Sequence, residues 1–348
     1  MASNRFPQGE WAGGSLPVGA DEGAVARTVR DLMQPGDERG TTHALLAVHG
    51  GSVVVEEYGE GITRDSTLVS WSMAKSMTHA LVGLLVGDGL LSPDDADLFE
   101  EWSGDKRRTI TLRHLMNMTS GLQWTEDYVD DSVSDVIEML FGENDGDHAS
   151  YAVGKPIVDP PGSTFVYSSG TTNIITRILA RAVGDFPPSH SCMESLIRSR
   201  LFGPVGMRTA VPKFDKAGNF VGSSFVYATA RDFARFGWLY LNGGVWDGVR
   251  VLPEGWAQRA WVQAATDPEN GFGYSEQWWL FPDLPGAIAA LGYEGQFTIV
   301  DPARDLVVVR LGKTPADRNE NVRQSLMSLV RAFPATAPET DKSGGDAG

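Results

Sequence analysis

The stretch "STLVSWSMAKSMTHALVGLLVGDGLL", residues 66–91, sets Ser72 three residues ahead of Lys75 at the head of a run that is otherwise apolar. A lysine is almost never fully buried unless it is paired or used. Either this ammonium escapes to solvent or the site needs it. If residues 71–86 are helical, Ser72 and Lys75 are i and i+3 neighbours on one face, close enough for amine to meet hydroxyl. Ser70 and Trp71 would then open the helix, giving Ser72 free backbone N–H groups and the positive end of the helix dipole, both suited to a developing oxyanion. A lysine in a poorly solvated site has a depressed pKa and can take a serine proton near neutrality. The bland reading is that Ser72 caps the helix and Lys75 snorkels outward, and the tetrapeptide alone does not separate the two. Ser103-Gly104-Asp105-Lys106 repeats the spacing inside the polar loop "EEWSGDKRRT", with no apolar helix behind it, and reads as a chance copy.

Composition narrows the setting. A chain of 348 residues, 42% of them hydrophobic, can bury a sizeable core as one large domain or two interleaved ones. Its formal net charge of -16 argues against nucleic acid or an anionic membrane as partner, because both need clustered Lys and Arg. A neutral or cationic small molecule fits better, with the protein a monomer or homodimer. Cys192 is the single cysteine, which rules out an intramolecular disulfide and a thiolate zinc site and suggests a small core residue. The six histidines form no His-x-x-x-His pair, no Gly-x-Ser-x-Gly elbow occurs, and Gly87-Asp88-Gly89 ends a helix where a phosphate loop would begin one. His114 is expected as a packed core histidine. The amino-terminal stretch lacks a basic start followed by an apolar segment, so the expected location is cytoplasmic.

Along the chain, residues 1–20 read as a surface arm and residues 334–348 as a disordered tail. Val25, Val29, Leu32 and Met33 fall at helical spacing before Pro35-Gly36, and "THALLAVHGGSVVVEEYGEG" is a hairpin around Gly50-Gly51. "GQFTIVDPARDLVVVRLGKT" repeats that arrangement, and "NVRQSLMSLVRAFP" closes the chain as a helix. Residues 21–70 and 288–333 thus supply one antiparallel sheet flanked by terminal helices, with residues 71–287 inserted as a mostly helical domain, an α/β (α+β) architecture. Two further elements bear on the lysine. "PPGSTFVYSSGTTNIITRILARAVG" puts Tyr167 and Ser169 on a loop just before an apolar helix, and "ALGYEGQFTIV" starts a strand after Gly295.

These three elements, in this order, resemble the serine β-lactamase and penicillin-binding superfamily, especially its class C-like esterases and nylon-oligomer (6-aminohexanoate) hydrolases. The resemblance runs over roughly residues 40–333 and includes "TLRHLMNMTSGLQW", "LFGPVGMRTA" and "ATARDFARFGWLYLNGGVWDGVRVLPEGW". It implies a β-lactamase/transpeptidase-like fold and a serine hydrolase that acylates Ser72 and hydrolyses carboxylic esters or linear amides without a metal or organic cofactor. Lys75 would be the base and Tyr167 the proton relay to the leaving group. Ser169 or Asn173 would complete the network, and the backbone N–H groups of Ser72 and Gln296 would form the oxyanion hole. Where the family's third motif reads Lys-Thr-Gly or close to it, this chain has Tyr293-Glu294-Gly295. A substrate carboxylate would lose its charge partner and meet Glu294, so β-lactamase and D,D-peptidase activity should be poor. Lys313-Thr314 follows later, before Pro315, and reads as a solvated loop. Trp124 and the pair Trp278-Trp279, in loop-like contexts, are candidates for lining an acyl pocket. A 6-aminohexanoate-oligomer amidase, and a non-catalytic sensor that acylates and stops, are the alternative functions.

Overall fold

The computed structural model describes residues 5–7, 9–36, 38–127, 134–142, 146–185 and 187–335. The tail expected over 334–348 lies almost wholly outside the described residues.

The apolar runs of the two hairpins are explained by burial on both faces. Strands β1 (Ala12–Gly13), β2 (Thr41–His49), β3 (Ser52–Tyr58), β4 (Ala265–Thr266), β5 (Gly273–Ser275), β6 (Trp278–Leu280), β7 (Ile288–Gly292), β8 (Gln296–Asp301) and β9 (Leu306–Lys313) form one nine-stranded sheet, in the order β1-β3-β2-β9-β8-β7-β6-β5-β4. Every pairing is antiparallel except that of β1 with β3. Side chains alternate between two cores, with a register shift where β2 meets β3 at Ala47 and Val48. Leu45, Ala47, Ala289, Ile299, Leu306 and Val308 face one, with Val25 and Leu32 of α1 (Glu22–Met33) and Leu326 and Leu329 of the carboxy-terminal helix Asn319–Arg331. Ala44, Leu46, Val48, Ala290, Val300, Val307 and Val309 face the other. That second core holds α2 (Ala74–Gly87), α3 (Ser169–Ala182) and α4 (Ala230–Leu241); the carboxy-terminal helix is α5. A sheet covered on both sides needs apolar residues at every position, which produces near-continuous runs. Gly50 and Gly51 turn the first hairpin with φ of 59° and 88°, a pair of left-handed positions that glycine takes without strain.

Three features depart from the sequence reading. Strands β4, β5 and β6 come from residues 265–280, inside the stretch expected to be a helical insertion, and β1 comes from the arm. The four are two or three residues long, too short to show an alternating pattern. Trp278 and Trp279 therefore stand on a strand and not in a loop. Trp278 is fully buried against Phe236, while Trp279 turns to the other face. Cys192 is exposed, not a core residue. Lys313 is the last residue of β9, not part of a loop beyond it.

Candidate active site

The nucleophile candidate sits where the chain passes from strand to helix. Ser70 is fastened by N–H to Val226 O at 2.8 Å and by its hydroxyl, which donates to Ser224 O and accepts from Val226 N. Trp71 then takes a left-handed backbone with φ of 44°, an uncommon state for a bulky residue. A single 3₁₀ turn, Trp71–Met73, leads into α2, so Ser72 lies in the first turn and not inside a regular α-helix that begins at residue 71. Ser72 is half-buried, and Lys75, one turn on, is 1% exposed.

Lys75 does not snorkel. Its Nζ lies 2.9 Å from Ser72 Oγ, 2.9 Å from Ser169 Oγ and 3.0 Å from the carbonyl oxygen of Ser223, and it stands 4.9 Å from the centre of the Tyr167 ring. Burial lowers its pKa to about 8 against an opposing pull from the Glu126 carboxylate. The Tyr167 hydroxyl lies near Ser72, and burial pushes its pKa well above the usual phenol value, so it stays protonated. Ser168 caps α3 by accepting from Thr171 N, which leaves Ser169 in the first turn, facing the lysine. Asn173, the alternative to Ser169, lies one turn deeper. It reaches Ser223 N and Met139 Sδ, and not Lys75.

Glu126 was not legible as a site residue. Its carboxylate accepts from Ser169 Oγ at 2.5 Å, Ser169 N at 2.8 Å and Trp124 Nε1 at 2.5 Å, so it orients Ser169 toward the lysine. In sequence it is one of several acids in the polar stretch "TEDYVDDSVSD", with nothing to single it out. The Ser223 carbonyl is equally silent, since a backbone acceptor has no side-chain signature.

Gln296 is buried at the start of β8, with its amide side chain spent on Tyr293 O, Gly312 O and Gly312 N. Glu294 has partners of its own. Trp71 Nε1 donates to its Oε2 at 3.3 Å, Tyr293 meets the Trp71 ring edge-on, and Lys313 Nζ lies 3.9 Å from its Oε1. Lys313 is 74% exposed, so its pair with Glu294 is weak.

A cleft of about 340 Å³ opens beside Tyr167, lined by Trp124, Glu126, Asp127, Phe165, Asp267, Glu269 and Trp279 among others, with no lysine or arginine among the described residues of its wall. Ser72 is not one of the lining residues, so the cleft meets the candidate chemistry through Tyr167 and Glu126. Asp267 spends its carboxylate on Glu269 N and Asn270 Nδ2 in its own turn. Among the described residues, no group of three or more His, Cys, Asp or Glu side chains is arranged to hold a metal ion. His114 is half-buried and closes a capping box with Thr111, away from the site.

The chain is similar to several known proteins. The Beta-lactamase family profile matches residues 25–330. A 6-aminohexanoate-dimer hydrolase of Paenarthrobacter ureafaciens is 28% identical over 311 residues, covering 84% of this chain and 77% of its own. A Bacillus anthracis protein assigned as a 6-aminohexanoate-dimer hydrolase superposes with a TM-score of 0.76 at 25% identity, covering 94% of this chain and 88% of that one. A family VIII carboxylesterase shares the fold with a TM-score of 0.65 at 14% identity, over 92% of this chain and 99% of its own. The chain belongs to the Beta-lactamase family and is a serine hydrolase.

Proposed function

We propose that the protein hydrolyses carboxylic esters or linear amides through an acyl-enzyme on Ser72. The observation that carries this reading is the fully buried Lys75 amine, 2.9 Å from Ser72 Oγ. A neutral lysine has two N–H donors and one lone pair. Ser223 O can only accept, and Ser169, whose own proton goes to Glu126, accepts as well, so the lone pair is left for the Ser72 proton.

In the first half-reaction, Ser72 Oγ attacks the carbonyl carbon as its proton passes to Lys75 Nζ. The oxyanion forms against the N–H groups of Ser72 and Gln296. Collapse expels the alcohol or amine, which takes a proton from Tyr167; Tyr167 is restored from the Lys75 ammonium. Water then repeats the sequence on the acyl-enzyme, releasing the acid and regenerating the Ser72 hydroxyl.

Amide turnover of the 6-aminohexanoate type is the second reading. The carboxylate-rich cleft favours it, because a protonated amine would be welcome beside Glu126, Asp127 and Glu269. The discriminating experiment compares a short-chain aryl ester with the linear aminohexanoate dimer on wild type and Ser72→Ala. Turnover of either that depends on Ser72 supports acyl-enzyme hydrolysis and ranks the two substrates. A burst of one equivalent without turnover would replace hydrolysis with the sensor reading.

A further inference from the structure

We infer that Arg310 is a positioning residue for the oxyanion hole, holding and polarising the peptide that joins Gly295 to Gln296. The inference rests on the reading above that Gln296 N–H is one of the oxyanion donors.

Arg310 lies on β9 opposite Phe297 of β8 and is fully buried. Among the described residues no carboxylate lies within ion-pair distance of it; the guanidinium is held by neutral acceptors instead. Nη1 donates to Gly295 O at 2.7 Å and Glu294 O at 3.1 Å. Nη2 donates to Thr314 Oγ1 at 2.9 Å, Thr41 O at 3.1 Å and Arg39 O at 3.5 Å, and Nε donates to Thr42 Oγ1 at 3.1 Å. The space is reserved by two glycines: a Cβ on Gly295 would stand 2.6 Å from Nη1, and one on Gly312 would stand 2.5 Å from Cζ. Burying a guanidinium without a counter-ion is costly, and only its donor geometry and charge can offset that cost.

The consequence follows from the peptide itself. In a trans peptide C=O and N–H point in opposite directions. Fixing Gly295 O on a cation therefore aims Gln296 N–H away from Arg310. A charged donor on the oxygen also strengthens the N–H as a donor, as in any hydrogen-bond chain. Glu294 and Gly295 are left-handed, with φ of 61° and 78°, so the turn before Gln296 needs such an anchor on its carbonyls. Strands β7 and β8 pack against the turn that carries Ser72, where Gly292 approaches Ser70 O.

A purely structural rivet between β2, β8 and β9 would change stability alone. The test measures kcat and KM for a short-chain p-nitrophenyl ester, and affinity for phenylboronic acid, on folded Arg310→Lys and Arg310→Gln. The expected result is a kcat about tenfold to a hundredfold lower with little change in KM, matched by a similar loss of boronate affinity and larger for Gln than for Lys. Folded variants with wild-type kcat and boronate affinity would overturn the inference, whatever their thermal stability. If neither folds, Thr314→Val removes one Nη2 partner and leaves the guanidinium in place: a kcat lowered about twofold to fivefold at constant KM supports the inference, and an unchanged kcat overturns it. Failure of the underlying reading would look different, as ester turnover that survives Ser72→Ala.

Discussion

Lys75 meets three acceptors, a full set for an ammonium, yet only its neutral form can receive the Ser72 proton. Because burial lowers its pKa to about 8, the neutral fraction grows as pH rises through that value. The expected outcome is a kcat/KM for ester hydrolysis that climbs with pH and is half-maximal near 8. Glu126→Gln removes the carboxylate that favours the ammonium, so that limb should move to lower pH, read from the profiles of the two proteins. Ser72→Ala and Lys75→Ala should each remove nearly all activity, since groups acting as a unit are not additive. At this scale the sequence was informative where spacing was local. Ser72 with Lys75, and Tyr167 with Ser169, are close pairs on helix starts. Glu126 and the Ser223 carbonyl come from distant loops and reach the lysine only through tertiary packing.

The turn between β5 and β6 is built from Glu276 and Gln277, both left-handed, with φ of 42° and 78°. Non-glycine residues hold this shape because their side chains are pinned. Gln277 bonds Thr172 Oγ1 and Met116 O, its carbonyl accepts from Ser76 one residue beyond Lys75, and Glu276 meets Arg259 and His79. Burial alone would raise the Glu276 pKa, but hydrogen bonds and charge from His79 and Arg259 outweigh it and hold the value at about 2, below the ordinary 4.5. The sign is that of a depressed carboxylate: its stabilisation is complete above about pH 4.5 and lost as pH falls through about 2. Urea unfolding of wild type should therefore weaken between pH 5 and 2 by more than that of Glu276→Gln, about 1 kcal/mol or more. Equal pH dependence of the two would remove Glu276 from the account of this turn. The long hairpins were legible because a Gly50-Gly51 turn and an Asp-Pro turn at Asp301-Pro302 divide runs of apolar residues. The strands over 265–280 were not, because turn chemistry supplied by Glu-Gln is invisible without the helix that pins it.

At the scale of the molecule, the sheet and its helices bring segments near residues 72, 126, 167, 223 and 296 to one place. The net charge of -16 is echoed in the cleft beside Tyr167, whose wall carries Glu126, Asp127, Asp267 and Glu269. An ester or amide with an ammonium end should show a kcat/KM above that of its neutral isostere, and one with a carboxylate end should fall below it; the preference should shrink as salt is raised. Trp124→Ala, which opens the cleft wall and releases Glu126, should alter the chain-length preference for acyl esters. No helix among the described residues is long and apolar enough to cross a membrane.

Whether Ser72 is the activated nucleophile is read from intact mass with peptide mapping after incubation with a fluorophosphonate, on wild type, Ser72→Ala and Lys75→Ala. One adduct is expected on wild type, mapped to Ser72, none on Ser72→Ala, and labelling slowed by orders of magnitude on Lys75→Ala. An unlabelled wild type, or an adduct that persists in Ser72→Ala, would contradict that role.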